Sequence, residues 1–128
     1  MIYLDRSVAH AQLLAEDRHP PDTLWEQSLV SSRLLEYEAW NRIHARGLTR
    51  SHSEPLRLLL GRIAFLELAR PVLERAIEPF PRPVRTLDAL HLASLDFLRA
   101  QGQAVAFASY DERMLAAARA MGIPSAAV

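Results

Sequence analysis

Apolar positions along this chain change their period several times, and the changes mark the elements. Ile2-Tyr3-Leu4 is a short β-prone run that ends at Asp5, and it predicts a buried strand. Residues 7–16 predict a helix with Ser7 as its N-cap, stopped by Pro20-Pro21. Asp22 or Thr23 caps a short helix through Gln27, and Leu29-Val30 predicts a second strand. Ser31 or Ser32 caps a helix to about Arg46, closed by Gly47; Leu34, Leu35, Ala39, Trp40 and Ile43 recur on one face of it. Ser53-Glu54-Pro55 is a further start signal with Pro55 at the first helical position, and that helix is expected to reach Phe65. A short helix follows over 71–78, then a stiff connector carrying Pro79, Pro81 and Pro83. Thr86 is placed to cap a helix from Leu87 to about Gln101, closed by Gly102. Ala104–Ala108 predicts a strand, Asp111–Met121 a helix closed by Gly122, and 125–128 a last short strand.

Strands alternating with helices predict an α/β layered fold with a short, mostly parallel central sheet flanked by helices, as one domain over residues 1–128. Half of the residues are hydrophobic, which argues against disorder. The absence of cysteine excludes disulfides, thiolate metal sites and a cysteine nucleophile, and it suits a cytoplasmic protein. No apolar run is long enough to span a membrane, and residues 1–5 lack the pattern of a signal peptide. The four glycines are too scattered for a phosphate-cradling loop.

Charge changes the picture more. Fifteen acids balance fifteen basic residues, and every basic residue is arginine. In parallel α/β sheets, ligands gather beyond the carboxyl ends of the strands. Asp5 closes the first strand there and Asp111 follows the strand ending near Ser109, while Asp88 and Glu38 lie early in their helices. Acids at helix starts are favoured by the dipole alone. Several converging carboxylates, however, raise one another's pKa or recruit a hard cation such as Mg²⁺ or Mn²⁺. Without those four acids, eleven remain against fifteen arginines, a surplus of four positive charges that suits RNA or an acidic partner.

Arg85-Thr86-Leu87-Asp88-Ala89-Leu90-His91-Leu92-Ala93-Ser94 then carries a resemblance. It is similar to the R-x-L-D-A-L-H-L-A segment of PIN-domain ribonucleases, specifically VapC-type toxins of toxin–antitoxin pairs. Ile2–Asp5 resembles the first strand and acid of that family. Ser32-Arg33-Leu34-Leu35 with Glu38-Ala39-Trp40-Asn41, and Ser109-Tyr110-Asp111 with Met114-Leu115, resemble the segments of its second and fourth acids. The resemblance implies a three-layer α/β/α fold. It also implies an acidic site of Asp5, Glu38, Asp88 and Asp111 that holds Mg²⁺ or Mn²⁺ and cleaves RNA, with structured RNAs such as tRNA prominent among substrates. A small antitoxin and homodimer formation are further implications, as are supporting roles for Ser7, Asn41 and Ser109.

Several alternatives stay open at this level. Glu36 competes with Glu38 as second acid. Arg6 stands where the family has a small residue, and it is surface, a phosphate contact, or a partner of the acids that displaces metal. Asp88 and His91, three apart, could share a mixed metal centre, against the plainer reading of His91 as a packed histidine. Asp96 lies about 12 Å along the helix from Asp88 and fits support or an arginine pair better than the same ion. Trp25, Trp40 and Phe65 read as core or interface. The run Leu56, Leu58, Leu59, Leu60, Ile63 and Phe65 is wider than one helical face and fits either burial, a dimer surface or an antitoxin groove. Rival functions are another PIN-fold nuclease of RNA processing, a metal-binding module with weakened catalysis, and a D-x-D phosphatase, which lacks its second Asp at Ser7.

Overall fold

A computed structural model describes every residue from Met1 to Val128. The elements are β1 (Ile2–Leu4), α1 (Arg6–Leu14), a 3-10 helix (Asp22–Glu26), β2 (Leu29–Ser32), α2 (Leu34–Ala45) and α3 (Thr49–Leu60). They continue with β3 (Ile63–Leu66), α4 (Arg70–Ala76), α5 (Thr86–Ala100), β4 (Ala106–Ala108) and α6 (Glu112–Ala120). The four strands form one sheet in the order β3-β2-β1-β4, and every pair is parallel.

The period-2 pattern of the strands decides the layers. Tyr3, Val30 and Phe107 share a register row and face one side, where they pack with Leu92 and Leu95 of α5 and Met114 and Ala118 of α6. Leu4, Leu29, Ile63 and Ala108 face the other side, against Val8 of α1, Leu35 of α2 and Leu59 of α3. The result is an α/β/α sandwich. Each fully buried leucine contributes roughly 1.5–3 kcal/mol relative to exposure, so these two faces hold the sheet edge, and anything attached to it, in place.

Several sequence expectations change. The helix expected from Ser53 begins at Thr49, so Pro55 lies inside α3 rather than at its start. Ser53 Oγ bonds back to the Thr49 carbonyl. α3 stops at Leu60, and Ile63–Leu66 is an edge strand. The broad leucine-rich run is thus one helix face followed by a strand: Leu56 and Leu59 are buried, and Leu58 is exposed. Ser7 does not cap α1; Asp5 does. Thr86 is the first residue of α5 and makes no cap bond there. Ser32 ends β2, yet its Oγ still accepts from the Leu34 amide at 3.1 Å, so part of the expected capping survives. The predicted last strand reduces to one parallel bridge, Phe107 with Ser125. Gly122, at φ 81°, adopts the left-handed turn that closes α6.

Candidate active site

Asp5 follows β1 and is the point at which the site begins. Its backbone amide bonds to the Ala108 carbonyl at 3.0 Å, which ties it to the end of β4. Its side chain is 3% exposed, and Oδ2 accepts from Ser7 Oγ at 2.7 Å and Ser109 Oγ at 2.8 Å, as well as from the Ser7 amide. The two serines also reach the neighbouring loop. Ser7 Oγ accepts from the Tyr110 amide and Ser109 Oγ from the Asp111 amide, both at 2.9 Å. Asp111 Oδ1 then caps α6, accepting from the amides of Arg113 and Met114. The pair Ser7 and Ser109 therefore fixes Asp5 relative to Asp111, while Asp5 Oδ1 and Asp111 Oδ2 carry no protein hydrogen bond.

Asp88, in the first turn of α5, belongs to the same neighbourhood. Burial raises its pKa; Arg6 pulls it down, and the charges of Asp111 and Asp5 push it up again. It has no ion-pair partner. A carboxyl kept partly dry beside two others of like charge, with no salt bridge of its own, is a group that a hard cation would relieve.

Glu38 is held differently. It lies on α2 with its side chain 8% exposed, and both oxygens are occupied. Oε2 takes Arg6 Nη1 at 3.3 Å, and Oε1 takes His91 Nε2 at 2.6 Å. The other ring nitrogen, Nδ1, lies 2.7 Å from Tyr3 Oη, which itself accepts from the Ser32 amide at 3.1 Å. With a neutral ring the donors sort one way. Tyr3 donates to Nδ1, and Nε2–H donates to the Glu38 carboxylate. Desolvation pushes the Tyr3 phenol well above its usual range, so it stays a donor. This chain runs from the sheet core to the site, and sequence reasoning missed it. The signal was available in His91 three residues after Asp88, but only the fold brings Tyr3 and Glu38 to the same ring.

The remaining candidates separate. Glu36 turns to the surface and pairs with Arg33 at 2.9 Å. Asp96 accepts from Arg75 Nε at 2.8 Å and fastens α4 to α5, away from the acids. Asn41 is exposed and lines a hollow next to Glu38. Arg6 is in contact with Glu38, so of its three readings the pairing with an acid is the one seen here.

No three acidic or histidine side chains close around a single point. The donor set is all oxygen, and three aspartates keep an open carboxylate oxygen. That fits a hydrated Mg²⁺ or Mn²⁺ held partly through its own waters, and does not fit a closed protein cage or a mixed Asp88–His91 centre, because both nitrogens of His91 are engaged.

An all-parallel sheet with acids gathered where β1 meets β4, the point at which strand order reverses, defines an α/β protein with an acid-lined ligand edge. The family profile described as PIN domain matches residues 2–120, and the chain belongs to the PIN-domain family. It is similar to Ribonuclease VapC47 of Mycobacterium tuberculosis (strain CDC 1551 / Oshkosh), with 30% identity over 133 residues spanning 98% of this chain and 96% of that protein. No helix is long and apolar enough to cross a membrane.

Proposed function

We propose that the protein is a metal-dependent endoribonuclease, the toxin of a VapBC-type pair, which hydrolyses phosphodiester bonds in structured RNA such as tRNA and so arrests translation. The observation that carries this reading is the set of open aspartate oxygens at the strand edge, with Asp88 partly dry and without a salt bridge. Family membership and the likeness to a VapC ribonuclease support the RNA substrate.

Asp5, Asp88 and Asp111 would hold Mg²⁺ or Mn²⁺, with Glu38 beside them. Bound there, the ion would supply activation of water and would offset charge on the phosphate. The chain's own residues do the rest. Ser7 and Ser109 keep Asp5 and Asp111 at a fixed spacing, and His91 keeps the Glu38 carboxylate turned toward the site. The protein acts in the cytoplasm as a homodimer and is restrained by a small antitoxin. A hollow lined by Leu13, Trp25, Pro55 and Leu58 is an apolar place on its surface for such a partner.

The test is cleavage of cellular RNA by the purified protein with Mg²⁺, with mapping of the new ends, beside EDTA and Asp88→Asn controls. New ends that need both the ion and Asp88 are expected. Cleavage that survives in Asp88→Asn removes this site from the chemistry. The Arg6–Glu38 contact favours a second reading, a metal-binding module with weakened catalysis. Mg²⁺ binding without cleavage by wild type, and cleavage gained in Arg6→Thr, would establish it.

A further inference from the structure

The cleft between α1 and α2 holds positive charge that the chemistry above leaves unused. Arg6 and His10 lie one helical turn apart on α1, and Glu38 and Arg42 on α2, with Arg46 just past its end, follow at the same interval. The Arg6–Glu38 contact sets the two helices side by side, so the next turns bring His10 and Arg42 together. A hollow of about 340 Å³ runs along this cleft, and Arg6, His10, Glu38, Asn41, Arg42 and Arg46 are among its lining residues. Three guanidinium groups line this hollow with one carboxylate, and Glu16, Asp17 and Asp111 line the adjoining one that shares Arg6, His10 and Arg42. Arg6 is the only one of the three with an ion-pair partner; Arg42 is half-buried and Arg46 exposed, and neither makes a salt bridge.

His10 is a second and independent sign. The residue is 4% exposed, and Nε2 is buried with no hydrogen-bond partner. An orphaned buried polar atom is unfavourable unless something satisfies it. Burial, then the neighbouring Arg42, hold its pKa below the usual histidine value, with Arg6 adding to the depression and Glu38 and Glu16 pulling the other way. A half-buried arginine without an anion is also unfavourable. One tetrahedral anion would meet both needs, because phosphate oxygens take guanidinium forks and imidazole N–H donors alike.

We infer that this hollow is a phosphate track, in which Arg42 and Arg46, with Asn41 and the His10 ring, hold the RNA phosphates that flank the bond being cut. The inference rests on the ribonuclease reading and deepens it. An acid-lined edge repels a polyanion, so a strand can lie across it only where cations take its neighbouring phosphates. The track starts one helical turn from Glu38, and so alongside the reacting phosphate.

The experiment uses full-length Asp88→Asn protein, which binds without cutting, and a fluorescent single-stranded RNA oligonucleotide, with affinity followed against salt. Each lost phosphate contact lowers the log–log salt slope by about 0.7 on a single strand. Adding Arg42→Gln and Arg46→Gln is expected to lower the slope by about 1.4 and weaken binding about ten-fold. Arg119→Gln, on the last turn of α6, is expected to change neither. His10→Leu, which removes both ring nitrogens with little change in side-chain volume, is expected to weaken binding with no loss of thermal stability. An unchanged slope in the double variant overturns the track. So does an unchanged slope combined with lost binding of a poly-glutamate peptide, which would assign the hollow to an acidic protein partner. The two readings fail separately. RNA cut normally by wild type with an unchanged slope sinks only the track, and a reduced slope without any cleavage by wild type sinks only the ribonuclease.

Discussion

Glu38 and Asp88 are acids of the proposed site held in opposite ways. Glu38 is almost buried, with one oxygen on an arginine and the other on a histidine that is itself anchored to the sheet core. Asp88 is less enclosed and has no ion pair, and burial with two like charges raises its pKa. The first is positioned and the second is available. The difference teaches that proximity does not make acids equivalent: the fold pins one between an arginine and a histidine and keeps another under electrostatic stress that a cation can relieve.

Breaking the available member should have the largest effect. Asp88→Asn is expected to reduce Mg²⁺-dependent RNA cleavage by about 100-fold or more, the scale typical of removing one electrostatic stabiliser from a reacting site. Its thermal stability should equal or exceed that of wild type. The sign follows from the raised pKa: the contribution of Asp88 to folding is favourable below the ordinary aspartate range and is lost as pH rises through its folded value. The stability gap between variant and wild type should therefore be seen at neutral pH and close in acid. A destabilised variant at neutral pH would refute the stress.

Asp5→Ala should lose both activity and stability. It removes the cap of α1 and the acceptor of both serines, at a cost of about 1–3 kcal/mol by chemical denaturation. His91→Phe tests the positioned member. It strands the Tyr3 hydroxyl and frees Glu38 to turn, so stability should fall by about 1–3 kcal/mol. A lower kcat with little change in KM is expected, and His91→Gln should restore part of it by keeping a donor. Unchanged kcat in both would reduce His91 to packing. The smallest effect is expected from Arg6→Thr, which takes a cation out of the cluster. The Mg²⁺ concentration for half-maximal cleavage should fall by up to about ten-fold, the equivalent of about 1.4 kcal/mol. A rise would show that Arg6 serves the substrate rather than competing with the ion.

How much of this was legible beforehand depends on the range of the interaction involved. β1, β2, α2, α5 and α6 follow from local period and punctuation. β3 did not, because Ile63–Leu66 continues the apolar content of α3 and nothing as strong as a proline separates them. Pro55 misled in the same way: it resembles a helix start, yet α3 begins six residues earlier. At the site, Asp5, Asp88 and Asp111 could be placed at strand and helix ends from order alone. The preference for Glu38 over Glu36 rests on the resemblance alone, since the physical division depends on which α2 face meets His91. The Tyr3–His91 bond spans 88 residues, and no local pattern encodes it.

The pairing of β1 with β4 has a consequence for the order of folding. Ile2, Tyr3 and Leu4 lie in register with Ala106, Phe107 and Ala108, so the first strand made has the last strand as its neighbour. Asp5 takes its backbone partner, Ala108, from that same late strand. During synthesis Asp5 therefore waits for Ala108 to emerge, and contacts of such long sequence separation form slowly. A polypeptide stopped anywhere before β4 lacks Asp111, Ser109 and the strand that fixes them. A chain built this way has no assembled acidic edge on the ribosome until β4 has been made.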